Sequence, residues 1–188
     1  MGNVRFIGCL HLGHLTVAKY RGFNSSEEHD EYLIDQWNST VHKKDLVYIL
    51  GDITMENSIH YKKLDLLKGR KIVVMGNHDI SKNSKELLNH VEGLAGMVKY
   101  QGFWLTHCPV HPQELVRVRG NIHAHIHSAE VAESTININY CGFLGNLKSS
   151  SEQGYYNVDA AIINYKPKTI ENLLEFYGSK EIEKHHKL

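Results

Sequence analysis

Five short clusters of ligand-type residues punctuate the chain: Cys9-Leu10-His11, Gly51-Asp52, Gly76-Asn77-His78-Asp79, His107-Cys108 and His123-Ala124-His125-Ile126-His127. Imidazole, carboxylate and carbonyl oxygen are donors that suit divalent first-row metals. Histidine also exchanges protons near neutral pH, and the chain holds 14 of them. Any one cluster is commonplace: Gly-Asp is an ordinary turn, and His-x-His an ordinary strand pair. Five in series, each at the end of an apolar run, read together as the ligand set of a metal centre.

The runs that lead into these clusters read as strands. Val4–Gly8 leads into Cys9, Leu46–Leu50 into Gly51, and Lys71–Met75 into Gly76. Short continuous apolar runs suit strands buried in a parallel sheet. Between them, Ser25 and Glu28 make a capping box ahead of a helix with Leu33, Ile34, Trp37 and Val41 on one face. A second helical stretch carries Ile59, Leu64 and Leu67 and stops at Gly69; a third carries Leu87, Leu88 and Val91. From Met97 the pattern becomes strand-rich, with segments at 97–100, 103–106, 121–125 and 155–163. An α/β sheet that gains antiparallel strands late is expected. Ligands bind at the carboxyl ends of strands in such sheets, where the clusters lie. Residues two apart on a strand share a face, so His125 pairs with His127 and Cys9 with His11. Glycine ahead of Asp52 and Asn77 allows a sharp turn or close backbone approach.

Composition narrows the function classes. The 188 residues suit one domain spanning 1–188, with a core over about 4–175 and a polar tail over about 178–188. With 41% hydrophobic and 22% charged residues, disordered and fibrous classes are excluded. A formal net charge of +0 argues against a broadly basic nucleic-acid coat. No apolar run approaches the ~20 residues of a membrane span. Three cysteines are too few and too odd for a disulfide framework, and the N-terminus lacks a signal-peptide layout, so a reducing cytoplasm is expected.

The ordered series resembles the calcineurin-like metallophosphoesterase superfamily. Its pattern is Asp-x-His, Gly-Asp, Gly-Asn-His-Asp/Glu, His, then Gly-His-x-His. Here the blocks read Cys9-Leu10-His11, Gly51-Asp52, Gly76-Asn77-His78-Asp79, His107 and Ala124-His125-Ile126-His127. The likeness continues through His11-Leu12-Gly13-His14, Glu28 to Asn38, Asn157-Val158-Asp159 and Asn164-Tyr165-Lys166-Pro167. These resemble a small single-domain branch common in bacteria and their phages, over residues 4–175. The resemblance implies a four-layer αββα sandwich with two mixed sheets. It implies hydrolysis of a phosphodiester or phosphomonoester of a nucleotide-like or other small molecule, in a bacterial cytoplasm or that of a phage's host. Metal one would be held by His11, Asp52, His127 and position 9; metal two by Asp52, Asn77, His107 and His125. Asp52 would bridge two divalent ions, manganese first, with zinc, iron, nickel and magnesium as the other candidates. His78 would act at the leaving-group oxygen, as general acid or phosphate stabiliser. The chemistry agrees, since two ions ~3.5–4 Å apart clamp phosphate oxygens and acidify a bridging water.

Two departures stand out. Position 9 is Cys where the family has Asp, and three readings of it stand: a ligand for a soft metal, a weak ligand in an active enzyme, or the mark of a site turned into a binding module. Ala124 replaces the usual Gly, with little effect expected. Asp79 either orients His78 or serves as a helix N-terminal carboxylate. His14, Arg117 and Arg119 are candidates for substrate binding, and His111 for the rim. His123 has no metal role in the pattern, Cys108 reads as a small packed residue, and Trp37 and Trp104 as core. A small-molecule phosphate ester is the expected partner, with no membrane. The alternatives are a nuclease, which the neutral charge disfavours, and a non-catalytic scaffold.

Overall fold

Valine, isoleucine and leucine runs too short for helices assemble into two four-stranded sheets. The computed structural model describes residues 2–129, 131 and 154–185. In the first sheet, β1 (Val4–Ile7), β2 (Leu46–Ile49), β3 (Arg70–Val74) and β4 (Gly93–Ala95) lie in sequence order, each ladder parallel. In the second, β5 (Val98–Tyr100) and β6 (Phe103–Leu105) form an antiparallel hairpin, and β7 (Gly120–His123) and β8 (Tyr155–Asn157) continue it in parallel. Phe6 of β1, Tyr48 of β2 and Tyr100 of β5 pack ring to ring with centroids 5.9–6.2 Å apart, which joins the sheets face to face. The free edge of β1 is stitched to the chain beyond β8. Phe6 exchanges two backbone hydrogen bonds with Lys168 in antiparallel fashion, and Gly8 bridges Asp159 in parallel. The carboxyl ends of both sheets therefore meet.

Helices complete the α/β sandwich: α1 (Leu15–Tyr20), α2 (Ser26–Thr40), the single turn α3 (Ser84–Leu87) and α4 (Ile170–His185). The expected cap of α2 is present: Ser25 Oγ accepts from the Glu28 N–H at 3.1 Å, and the Glu28 carboxylate reaches back to the Asn24 N–H at 2.8 Å. Its inner face buries Leu33 and Trp37, whose indole donates to Lys68 O. Tyr177 of α4 meets Tyr156 of β8 edge to face, and its hydroxyl bonds both backbone groups of Asn157. Among the described residues no helix is long and apolar enough to cross a membrane.

Four elements differ from expectation. Residues 58–66 form a 3-10 helix, and the helix expected around Leu87, Leu88 and Val91 shrinks to α3. β4, from Gly-Leu-Ala, has no strand signal of its own and exists by pairing with β3. The strand expected over 155–163 ends at Asn157, because the Asn157 and Asp159 side chains accept from the backbone N–H groups of Asp159 and Ala161 and turn the chain. α4 runs on into the expected polar tail; the side chains beyond Gly178, and Cys141, lie outside the described residues.

Candidate metal centre

Sharp turns at the strand ends aim the candidate ligands. Cys9 (φ 53°), His11 (51°), Asp52 (55°), His125 (67°) and His127 (48°) all adopt left-handed backbone. Each such residue costs of order 1–3 kcal/mol, which persists only where the surroundings over-determine it. Gly51 and Gly76 let the turns after β2 and β3 close: a Cβ on Gly51 would stand 2.5 Å from His107 Nδ1, and one on Gly76 would overlap Asp52 Oδ1. Buried Asp79 ties the two turns together. Its carboxylate accepts from the N–H groups of Asp52 (2.7 Å), Ile53 (3.0 Å) and Gly76 (2.9 Å). Asp79 thus neither orients His78 nor caps a helix; burial pushes its carboxyl above the usual range.

Asp52 sits at the middle. Its Oδ2 lies 3.4 Å from His107 Nε2 and 3.9 Å from His11 Nε2, while Oδ1 accepts from the His78 N–H. Burial alone would raise this carboxyl, but the His107 hydrogen bond and charge outweigh it and hold the group below the usual value. His107 donates from Nδ1 to Leu50 O at 2.8 Å, and its Nε2 faces Asn77 Oδ1 at 2.9 Å and His125 Nδ1 at 3.1 Å. Burial disfavours a charged His107, yet the Asp52 carboxylate prevails and holds it above the ordinary imidazole value. Four donor atoms crowd one point that favours a positive charge.

His11 carries the clearest signature. It is 2% exposed, and neither ring nitrogen has a hydrogen-bond partner. Burial, and then Arg21, push its pKa down to about 3, so it is a neutral imidazole. Leaving buried polar atoms unsatisfied costs ~1–3 kcal/mol; a cation facing them removes that cost. Its ring centroid is 5.3 Å from that of His127. His127 donates from Nδ1 to Asp159 at 2.8 Å, which leaves Nε2 free, the usual arrangement behind a metal-ligating histidine. Arg21 grips both Asp159 oxygens at 3.2 Å and donates to Cys9 O at 2.8 Å. Cys9 is fully buried, its Sγ accepting from the His125 N–H at 3.2 Å. Burial, then Asp159 and Asp52, push its thiol well above the usual value. Ligand atoms of Cys9, His11 and His127 lie within 4.8 Å of one another, as do those of Cys9, Asp52 and His107 and those of His107, Cys108 and His125. Nitrogen, oxygen and one buried sulfur at these separations fit divalent cations.

His125 and His127 do not share a strand face. β7 ends at His123, and the left-handed turns that follow send His125 to His107 and His127 to His11. His78 stands at the edge, its ring 6.1 Å from that of His11 and its Nδ1 3.6 Å from Glu56 Oε1. His14 caps α1 by accepting from the Val17 N–H, with its ring 6.3 Å from that of His11. Arg119 lies over the Phe103 ring at 4.7 Å, Arg117 is exposed, and no hydrogen bond or ion pair among the described residues links either to the cluster. His111 caps the short 3-10 helix 112–115. Cys108 is exposed beside His107, not packed. His123 is a buried structural group that donates to Ala124 O. Ala124 is accommodated by Gly8, where a Cβ would stand 2.5 Å from its own. The sequence reading gave no role to Arg21 or Asp159. Asp159 carries the same signal as the other clusters, a carboxylate just past a strand; Arg21 carries none.

A profile described as calcineurin-like phosphoesterase matches residues 2–137. The chain is 29% identical to an uncharacterized protein of Methanocaldococcus jannaschii over 93% of this chain and 91% of that one. It is 40% identical to the gene 66 protein of Mycobacterium phage D29, over 42% of this chain and 41% of that one. A protein of unknown function from Aquifex aeolicus has a crystal structure of the same fold, with a TM-score of 0.61 and 22% identity over 98% of this chain and 99% of that one.

Proposed function

We propose, on the premise that the chain belongs to the calcineurin-like phosphoesterase family, that it hydrolyses a phosphodiester or phosphomonoester of a small, nucleotide-like molecule. That membership suggests metal-dependent phosphoester hydrolysis. The observation that carries the reading is His11, a buried neutral imidazole with both nitrogens unpartnered beside the Asp52 carboxylate. In this reading His11, Asp52, His127 and Cys9 would hold one divalent ion, and Asp52, Asn77, His107 and His125 a second. Bound there, the ions would supply positive charge to phosphate oxygens and acidify an attacking water. The chain's own groups do the rest. Leu50 O and Asp159 fix the tautomers of His107 and His127, so each presents Nε2. His78, with Glu56 beside its Nδ1, gives a proton to the leaving oxygen or hydrogen-bonds the phosphate. The Asp52 carboxylate and the Asn77 amide oxygen suit manganese, our first candidate, while the four imidazoles and the single buried thiol also suit iron, nickel and zinc. A reducing cytoplasm keeps that thiol intact.

The test is a hydrolysis screen of the full chain over aryl phosphodiesters, nucleotides and oligonucleotides, with manganese, nickel, zinc and magnesium. Turnover of the small esters, strongest with manganese and lost in Asp52→Asn, is expected. Preference for oligonucleotides would replace the small-molecule substrate with nucleic acid. No turnover with any metal sinks the enzyme reading in favour of a scaffold.

A further inference from the structure

His127 and Asp159 also line a recess of about 470 Å³, flanked by Val17 and Tyr20 of α1 and by Ala161 and Ile162 of the turn after β8. That volume falls within the ~300–1,000 Å³ of small-molecule sites. Arg21 is the only Lys or Arg on the wall among the described residues. Its guanidinium is committed to Asp159, to Cys9 O and to the His29 ring. The recess therefore has no cation to spare for a second anionic group. Tyr20, 78% exposed, offers an aromatic face at its rim.

We propose that this recess binds a flat, uncharged ring, the organic group of an ester whose phosphate lies at the adjoining centre. The link to the phosphate rests on the phosphoesterase reading; the ring subsite itself rests on the recess. An aryl group and a nucleobase share this chemistry: each brings a flat apolar face and no charge. Continuity with the centre comes from His127, whose ring lines the recess and stands 5.3 Å from that of His11. An ester carrying further phosphates on its organic side is disfavoured, because Asp159 and a committed Arg21 would face them.

Two measurements on the full chain test this. With manganese present, calorimetry compares phenylphosphonate with methylphosphonate, which carry the same anionic head. The ring should tighten binding at least about fivefold, within the range of aromatic stacking. In Ala161→Trp, an exposed site whose new side chain fills the recess, the ratio should fall toward one; Tyr20→Ala should lower it part of the way. In chelator, saturation-transfer NMR with thymidine and p-cresol, both uncharged at neutral pH, reads ring binding without any metal. Ring-proton signals are expected in the wild type and should vanish in Ala161→Trp. Stronger signals from thymidine identify a nucleobase as the source, and stronger signals from p-cresol an aryl group; either supports the subsite. Absent signals, or signals undiminished in Ala161→Trp, overturn it whatever the phosphonates do. If neither phosphonate binds while the ring signals persist and respond to Ala161→Trp, the phosphoesterase reading fails and the ring subsite stands.

Discussion

A histidine that protonates a leaving group needs one nitrogen directed at the substrate. The His78 ring sits beside the cluster without entering it, and its Nδ1, 3.6 Å from Glu56 Oε1, makes no hydrogen bond among the described residues. His78→Asn should keep metal content and lower turnover by something like the ~10²–10⁴-fold of general acid catalysis. The loss should shrink for esters with good leaving groups; an equal loss on poor and good ones would leave His78 only phosphate binding. Cys9 is the other decisive residue. Its Sγ is buried, bonded to the His125 N–H, and close to His11 and His127. If it is a poor substitute for a hard carboxylate, Cys9→Asp should tighten manganese or magnesium and raise activity with them. If it is a thiolate ligand, Cys9→Asp should weaken a zinc or iron preference and Cys9→Ser should abolish it. Metal titration with turnover at each point decides. The poor-substitute reading predicts a gain in Cys9→Asp, and unchanged behaviour in Cys9→Ala would remove Cys9 from the metal altogether.

At the scale of elements, the strand ends carry the design, and Asp79 shows how. One carboxylate accepts three backbone N–H groups from the turns after β2 and β3, and so sets the distance between Asp52 and Asn77. An amide keeps the size but replaces an acceptor oxygen with a donor that faces an N–H. Asp79→Asn should therefore cost ~1–3 kcal/mol in urea unfolding and weaken manganese binding. Full metal affinity in that variant would detach the turns from the centre. This role was not legible in the sequence, where Asp79 looks like a neighbour of His78. The strands β1, β2 and β3 were legible because buried parallel strands are written as continuous apolar runs. β4 was not, since Gly93-Leu94-Ala95 pairs only because β3 offers an edge. The candidate ligands stood out by residue type, yet the strand rule misdirected His125 and His127. Left-handed φ at both residues is a tertiary property, imposed where the sheets meet, and it leaves no trace in residue spacing.

At the scale of the whole molecule, buried polar groups run inward from the surface to the centre. Lys63 meets Asp30, Asp30 accepts from His29, His29 accepts from Arg21, and Arg21 holds Asp159 behind His127. Burial of imidazole also makes stability depend on pH. His123 is 1% exposed, and burial holds its pKa down to about 4; His11 is held down to about 3. Below the unfolded value of 6.5 the unfolded chain takes up protons that the folded histidines refuse, so stability falls with pH. Each contributes a slope of about 1.4 kcal/mol per pH unit until its own folded pKa is reached. His107 acts differently, because its folded pKa is raised: its contribution is fully present below 6.5 and is lost as pH rises through the folded value. Asp30 and Asp45, whose carboxyls are held below 3.8, lose their stabilising effect only as pH falls below that value. Between pH 6.5 and about 4.5, then, the two buried histidines set a falling slope, and the raised Asp79 carboxyl, which takes up its proton in the folded chain first, opposes it. Urea unfolding of the chelator-treated chain should give stabilities that drop steadily over this interval. His123→Gln, whatever its absolute stability, should flatten the slope by one proton. Parallel slopes in the two proteins would mean that folded His123 takes up its proton as readily as the unfolded chain does.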